Sequence, residues 1–408
     1  MIFGLKNKLV FDRFTKRFLI KGFLPWDFVK LQEVREWTDE DEDCLVNYIE
    51  RNYKGIRVPA IIKSTLSELK LKKSTNVVTD YFNSLKWDGI PRIDTLLIDY
   101  FGTEDTIYSR EIIRKELVAA VRRVVTEKTI KFDEMIILVG TQGQGKSTFF
   151  SKLGKSWYTD IKLKLDDKDT LVSLQKYMIV EVGELDGFNK LEVSALKSFL
   201  SKVTDTYRAP YAQNAVEHPR HYVLFGTTNE DEFLRDSTGE RRFWPIDCFE
   251  EKATKSVFTE LSEDDVDQIW AEAVYLNDKG ESLLLSKEAR ELAKIHQGLH
   301  KVHNPKEGEI KEFINKKVTK NWLKETDFSS HDAGTSSSND LVDKDRVCAA
   351  IIWCECFGNR NTGNMKISDS KEINSILSTL KFEDRKLVSY YGKFGKYGVQ
   401  RGFKIIKS

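Results

Sequence analysis

The sequence predicts an α/β protein: a parallel sheet covered by helices on both faces, a mostly helical region with a short basic hairpin ahead of it, and a winged-helix-like unit behind it. Three observations carry this. Across roughly 105–250, the apolar runs MIILVG (135–140), WYTDIKL (157–163), KYMIVEV (176–182) and HYVLFGTTN (221–229) are separated by helical stretches. Strands alternating with helices imply a parallel sheet buried on both sides. Helical periodicity brackets this core, with SREIIRKELVAAVRRVV before it and DDVDQIWAEAVYL and KEARELAKIH after it. Near the end, helix candidates at 343–357 and 369–380 precede two strands joined by a Gly-rich turn in KLVSYYGKFGKYGVQRGFKII. A chain of 408 residues is too long for one ordinary core, and the pattern divides it at 1–100, 101–300 and 301–408.

Taken in order, residues 1–25 carry Lys6, Lys8, Arg13, Lys16, Arg17 and Lys21 against one acid, Asp12, a local charge of +5. Leu9, Phe11, Phe14, Phe18 and Ile20 alternate loosely, which reads as a hairpin. In WTDEDEDCLVNYIERNY, Thr38 is placed to cap a helix with Asp41 three residues on. The acids there fall in the first turn, where the helix dipole favours them. Residues 58–100 read as more helix, ending in the turn-bearing LKWDGIPRIDTLL. SSHDAGTSSSND (329–340) has the composition of an exposed loop or linker. The pair Asp369 and Glu372 is placed to open the last helix.

Composition excludes several classes. Hydrophobic residues at 40% and charged ones at 32% exclude a disordered chain. Lys+Arg (65) and Asp+Glu (64) balance, so only the placement of charge can point to an anionic partner. Five scattered cysteines (Cys44, Cys248, Cys348, Cys354, Cys356) fit free thiols in a reducing compartment. Basic residues interrupt every early apolar run, and no run approaches membrane-span length, so a soluble intracellular protein is expected.

GTQGQGKST at 140–148 meets G-x-x-x-x-G-K-[ST] in full, with an apolar strand before it and a helical pattern after it. Gly140, Gly143 and Gly145 allow backbone N–H groups to turn inward around phosphate oxygens, with Thr141 and Thr148 in the same cradle. Lys146 offers a point charge to β- and γ-phosphates, and the Ser147 hydroxyl suits Mg²⁺. The following helix adds its positive end. The expected ligands are therefore ATP and Mg²⁺.

Such a loop needs a carboxylate on a neighbouring strand, and KYMIVEVGELDGF supplies Glu181 and Glu184. With Gly183 where a metal-side acid would sit, Glu181 is expected to hold the metal and Glu184 to orient water. An acid inside IVEV is costly without a role. Asn229, at the tip of HYVLFGTTN, is a candidate sensor of the γ-phosphate. Arg241 and Arg242, in a polar turn before FWPI, are placed to enter a nucleotide site and stabilise transition-state charge. The alternative there is a surface Arg pair bound to acids.

The ordered set GTQGQGKST, IVEVGELDG, LKSFLSKVTDTYRAPYAQNAVEHPRHYVLFGTTN and LRDSTGERRFWPI resembles the virulence-associated protein E family of phages, plasmids and mobile islands, which is similar to superfamily 3 helicases of the AAA+ class. The match is good over about 85–300 and loose elsewhere. The resemblance implies an AAA+-like P-loop ATPase core in the cytoplasm of a bacterial host, assembled as a ring, expected hexameric, with Arg241 or Arg242 acting on the neighbouring subunit. It also implies that the stretch carrying Lys197, Asp205, Tyr207, Arg208, Tyr211, His218 and Arg220 reaches DNA through a pore hairpin. Longer relatives carry a primase ahead of the core; the roughly 100 residues here leave no room for one, so a separate primase is a possible partner.

The residues of that stretch suit DNA in their own right: Tyr207, Tyr211 and Tyr222 for stacking, Arg208 and Arg220 for phosphates, and a polar tip at Gln213 and Asn214. An ordinary surface hairpin has the same composition. The tail speaks more strongly, with a charge of +6 over 381–408 and Lys393, Lys396 and Arg401 interleaved with Tyr390, Tyr391, Phe394, Tyr397 and Phe403. The cysteines Cys348, Cys354 and Cys356 lie in a helical pattern without a spaced histidine and read as small buried hydrophobes. The reading is an ATP-driven DNA helicase or translocase for replication of a mobile element. A non-translocating ATPase switch, such as a helicase loader, shares the same active site. A P-loop kinase has no use for the arginine turn or the basic tail.

Overall fold

Thr38 starts the first long helix as a reciprocal cap: its hydroxyl accepts from the Asp41 backbone N–H, and Asp41 Oδ2 accepts from the Thr38 N–H at 3.0 Å. Burial alone would raise the Asp41 pKa, but Arg35, Trp26 and the Thr38 amide outweigh it and hold the carboxyl down at about 2. The computed structural model describes residues 8–27, 34–53, 58–126, 128–161, 168–207, 214–234, 240–302, 304–320, 322–323 and 341–407. The chain divides into two compact units, Met1–Lys301 and Val302–Ser408.

The first unit opens with β1 (Leu9–Asp12) and β2 (Arg17–Ile20), an antiparallel hairpin. Asp12 shapes the turn, accepting from the Phe14 and Thr15 amides. Then come β3 (Arg35–Glu36), α1 (Asp39–Asn52), α2 (Val58–Lys72), β4 (Ser74–Thr75), α3 (Val77–Ser84), α4 (Leu96–Phe101) and α5 (Ile107–Val125).

The central elements are β5 (Met135–Val139), α6 (Lys146–Gly154), β6 (Tyr158–Asp160), α7 (Lys168–Leu174), β7 (Ile179–Val182), α8 (Lys190–Leu200), β8 (Thr204–Tyr207), β9 (Val216–Pro219), β10 (Val223–Thr228) and β11 (Phe243–Asp247), followed by α9 (Glu263–Asp278) and α10 (Lys287–Leu299). Five strands form one parallel sheet in the order β11-β5-β10-β7-β6. Side chains alternate across it with period 2. Ile136, Leu138, Val223, Phe225, Trp244 and Ile246 join one core with Tyr108, Ile112, Phe149, Phe150 and Trp270. Met135, Ile137, Val139, Val180, Val182, Leu224 and Phe243 join the other with Val193, Leu196 and Phe199. Each such large side chain contributes roughly 1.5–3 kcal/mol by leaving water, and the central strands are mainly apolar because both faces are covered.

The second unit contains α11 (Pro305–Asn315), β12 (Val318–Thr319), β13 (Leu341–Val342), β14 (Arg346–Val347), α12 (Ala349–Ile351), α13 (Ile367–Thr379), β15 (Arg385–Lys393) and β16 (Val399–Lys407). The last two strands form a long antiparallel hairpin with β14 on the β16 edge. Two expectations are corrected. The helix foreseen from 343 begins at Ala349, because Arg346 and Val347 pair with Lys404 and Phe403 as strand, and it widens into a π turn at Ile352–Cys356. The last helix is capped at Lys366, whose amide donates to Asp369; Glu372 turns away to Asn304 and Lys306. The linker foreseen at 329–340 lies outside the described residues. Among those described, no helix is long and apolar enough to cross a membrane.

Candidate phosphate-binding site

Strand β5 ends at Val139 and α6 begins at Lys146, so residues 140–145 form a loop at the C-terminal edge of the sheet. Gly143 (φ 94°) and Gly145 (φ 79°) hold left-handed conformations that a side chain would strain. Lys146 points back into the loop: its Nζ donates to Gly140 O at 2.5 Å, Thr141 O at 2.8 Å and Asn229 Oδ1 at 3.2 Å. Glu181, 1% exposed in the middle of β7, accepts from three hydroxyls: Ser147 (2.7 Å), Thr227 (2.8 Å) and Tyr158 (2.6 Å). A buried carboxylate is tolerated only when satisfied in this way. Burial and then the Glu181 carboxylate push the Tyr158 phenol well above its ordinary pKa, so it remains a donor.

These groups surround a cavity of about 390 Å³ lined by Gln142 to Thr148, Asp160, Glu181, Glu184, Asn229 and Phe258, among others. Glu184 stands just past β7 with φ 55°, a left-handed conformation uncommon for a non-glycine residue. Beside it, a Cβ on Gly183 would meet only Thr227 Oγ1, at 3.8 Å. A second cavity of about 310 Å³ shares Gly143, Gln144 and Phe258 and is lined by Tyr100 and residues 253–257. The structure thus brings Gly143, Gly145, Lys146, Ser147, Thr148, Glu181, Glu184 and Asn229 to one cavity. Tyr158 and Thr227 were not among the candidates. Thr227 was visible in the Thr-Thr-Asn strand tip, whereas Tyr158 carries no sequence signal beyond its place on an adjacent strand.

Arg241 and Arg242 are elsewhere. They sit in the short turn Glu240–Arg242 that enters β11, and in a parallel sheet the start of a strand faces away from the edge where the 140–145 loop lies. Arg241 lines a separate cavity with Glu134, Trp244 and Arg290. Entry into the site of its own chain is therefore corrected; any action on this chemistry has to be on another copy.

The stretch expected to hold DNA also needs correction. Arg220 is 1% exposed and paired with Asp205 at 2.6 Å, with Phe199 and Tyr222 against its guanidinium. Tyr222 donates its hydroxyl to the same Asp205 at 2.9 Å. Lys197 is buried beneath Phe243, and Tyr207 is buried and stacked on His218. Lys197, Tyr207 and Arg220 are all buried, and the β8–β9 sheet is held to α8 through Arg220, which also donates to Phe199 O at 2.7 Å. Burial lowers the His218 pKa. Asn214 is exposed; Arg208, Tyr211 and Gln213 lie outside the described residues. In the second unit Lys393 and Arg401 are exposed, while Lys396 pairs with Glu355 at 3.0 Å.

A five-stranded parallel α/β sheet carrying a glycine-rich loop and a buried acid at its C-terminal edge defines the class. Within that class the chain belongs to the family described as the virulence-associated protein E-like domain, whose model matches residues 82–302. Solved structures of the NrS-1 C-terminal region are similar at low identity. A ligand-free form has 14% identity and a TM-score of 0.47, covering 98% of this chain and 96% of that one. An A form has 16% identity and a TM-score of 0.47 over 98% and 95%, and another A form 16% and 0.43 over 71% and 72%. No curated protein matches.

Proposed function

We propose that this chain is an ATP- and Mg²⁺-dependent motor that acts on DNA in the replication of a phage or mobile element, working as a ring of six copies. The observation that carries the reading is the convergence of Lys146, Ser147, Glu181 and Asn229 on one cavity at the C-terminal edge of the sheet. Backbone amides of the 140–145 loop and the N-terminus of α6 suit a triphosphate, and the adjoining cavity beside Phe258 suits a base. Lys146 would leave the loop carbonyls for β- and γ-phosphate oxygens.

The donor set fits Mg²⁺, since the Ser147 hydroxyl and Glu181 carboxylate are hard oxygen ligands already 2.7 Å apart. When bound, the ion would neutralise charge developing on the phosphates. Tyr158 and Thr227 hold Glu181 in position, Glu184 orients the attacking water, and Asn229 bridges that water and the γ-phosphate. Arg241 or Arg242 from an adjoining subunit stabilises the transition state. In the second unit, the helices with the β15–β16 hairpin act as a winged-helix-like DNA grip through Lys393 and Arg401.

A second reading, a non-translocating ATPase switch such as a helicase loader, is favoured by the buried state of Lys197, Tyr207 and Arg220, which leaves less of that stretch to grip a strand. One experiment separates the two. A motor hydrolyses ATP faster with single-stranded DNA and unwinds a forked duplex, and Lys146→Ala loses both by at least roughly a hundredfold. A loader hydrolyses ATP and leaves the fork intact. Folded wild-type protein that turns over no ATP with magnesium ends both readings.

A further inference from the structure

A cluster of titratable side chains takes no part in this chemistry. Asp247 is the last residue of β11, and His296 and His300 stand four residues apart at the end of α10, a spacing that places both rings on one helix face. One donor atom from each of the three lies within 4.8 Å of the others. Asp247 Oδ1 and His300 Nε2 are 3.3 Å apart, close to the separation of two ligands held about 2.0–2.1 Å from a tetrahedral zinc ion.

The groups behind the two rings are also in place. His300 is 3% exposed, and its Nδ1 faces the Asp231 carbonyl at 2.6 Å. That carbonyl can only accept, so Nδ1 carries a proton, and Nε2 is the atom turned towards Asp247. The His296 ring stacks on Tyr108 at 4.7 Å, and the Tyr108 hydroxyl is taken by Pro245 O. Among the described residues, the buried His296 Nδ1 finds no hydrogen-bond partner, and His300 Nε2 faces Asp247 Oδ1 at 3.3 Å. Buried polar atoms left so are rare and call for an explanation.

We propose that Asp247, His296 and His300 bind a divalent transition-metal cation of the Zn²⁺ type, with a fourth position open to water. Two imidazoles and one carboxylate suit such an ion better than Mg²⁺ or Ca²⁺, which take oxygen ligands. The ion joins α10 to the end of β11 and, through Asp231, to the segment that follows Asn229. The same helix end already accepts there, from the Phe233 and Leu234 amides at the His300 carbonyl.

The test uses the full chain, freed of metal with a chelator and titrated without nucleotide, once with Zn²⁺ and once with Co²⁺. The expected results are one equivalent bound, a cobalt spectrum without thiolate charge transfer, and a melting temperature raised by roughly 5 °C at a hundredfold excess over Kd. Asp247→Asn and His296→Gln, the latter at a half-buried ring, should each weaken binding by roughly tenfold or more while the circular dichroism spectrum stays that of wild type. Wild-type protein that binds neither ion overturns the proposal and leaves His300 and Asp247 as an ion pair. So does binding that survives both substitutions, or thiolate charge transfer that places cobalt on cysteines such as Cys354 and Cys356.

Discussion

The segment around β8 and β9 and the hairpin of β15 and β16 both interleave basic residues with tyrosines, and they use them differently. In the first, Arg220 and Asp205 form an ion pair with neither side chain exposed, and Tyr207 and Tyr222 pack inward. In the second, Tyr391 is 69% exposed and stands directly across from Arg401, with Lys393 across from Val399. The difference lies in the acids. Asp205 sits where a cross-strand arginine can find it, whereas the acids of the last segment, Glu383 and Asp384, precede the hairpin, and Asp384 is occupied by Arg385 at 2.8 Å. A basic residue counts towards nucleic-acid binding only once its nearest carboxylate has been placed.

The sharpest way to break this comparison is to delete each arginine. Arg220→Ala leaves Asp205 buried without its partner and should cost about 3–5 kcal/mol of stability in urea denaturation. Arg401→Ala should shift it by less than about 0.5 kcal/mol. Equal effects would refute the contrast.

The next largest effect concerns acid. Burial lowers the His221 pKa to about 4 against the Gln175 carbonyl that its Nε2–H meets. A histidine kept neutral in the fold contributes stability that is complete above its unfolded value of about 6.5 and is lost as pH falls through about 4. Between those values the chain should lose roughly 3 kcal/mol, a slope that His221→Phe flattens. An unchanged slope in the variant would move the acid sensitivity elsewhere.

Smallest in stability but sharpest in function is the paired change Lys393→Ala and Arg401→Ala. Melting should hold within about 1–2 °C, while DNA affinity falls and the salt slope of log K shrinks by roughly 2. An unaltered slope would remove the second hairpin from the DNA-facing surface.

Much of the architecture was legible because its signals are local. Strand β5 is an uninterrupted apolar run, MIILV, the other long strands of its sheet are mainly apolar, and the Thr38 cap needs only Asp41, three residues on. The gathering of Lys146, Ser147 and Glu181 at one cavity was likewise visible, since a glycine pattern sits between a strand and a helix and an acid interrupts IVEV. What escaped depends on distant partners. The start of α12 at Ala349 follows from β16 claiming Arg346 and Val347 some 57 positions later. Arg220 looked available because its acid lies 15 residues away. Tyr158 became visible only once β6 was laid beside β7, and the placement of Arg241 required knowing which end of β11 faces the loop.

The three acceptors around the Lys146 ammonium have a consequence for ligand arrival. Lys146 lies across the loop, so on the proposed reading an entering anion would trade places with two carbonyls and an amide oxygen. The heat of such an exchange should be small even where affinity is high. The same exchange would free the Asn229 amide oxygen, so that filling the glycine loop would be felt at the end of β10.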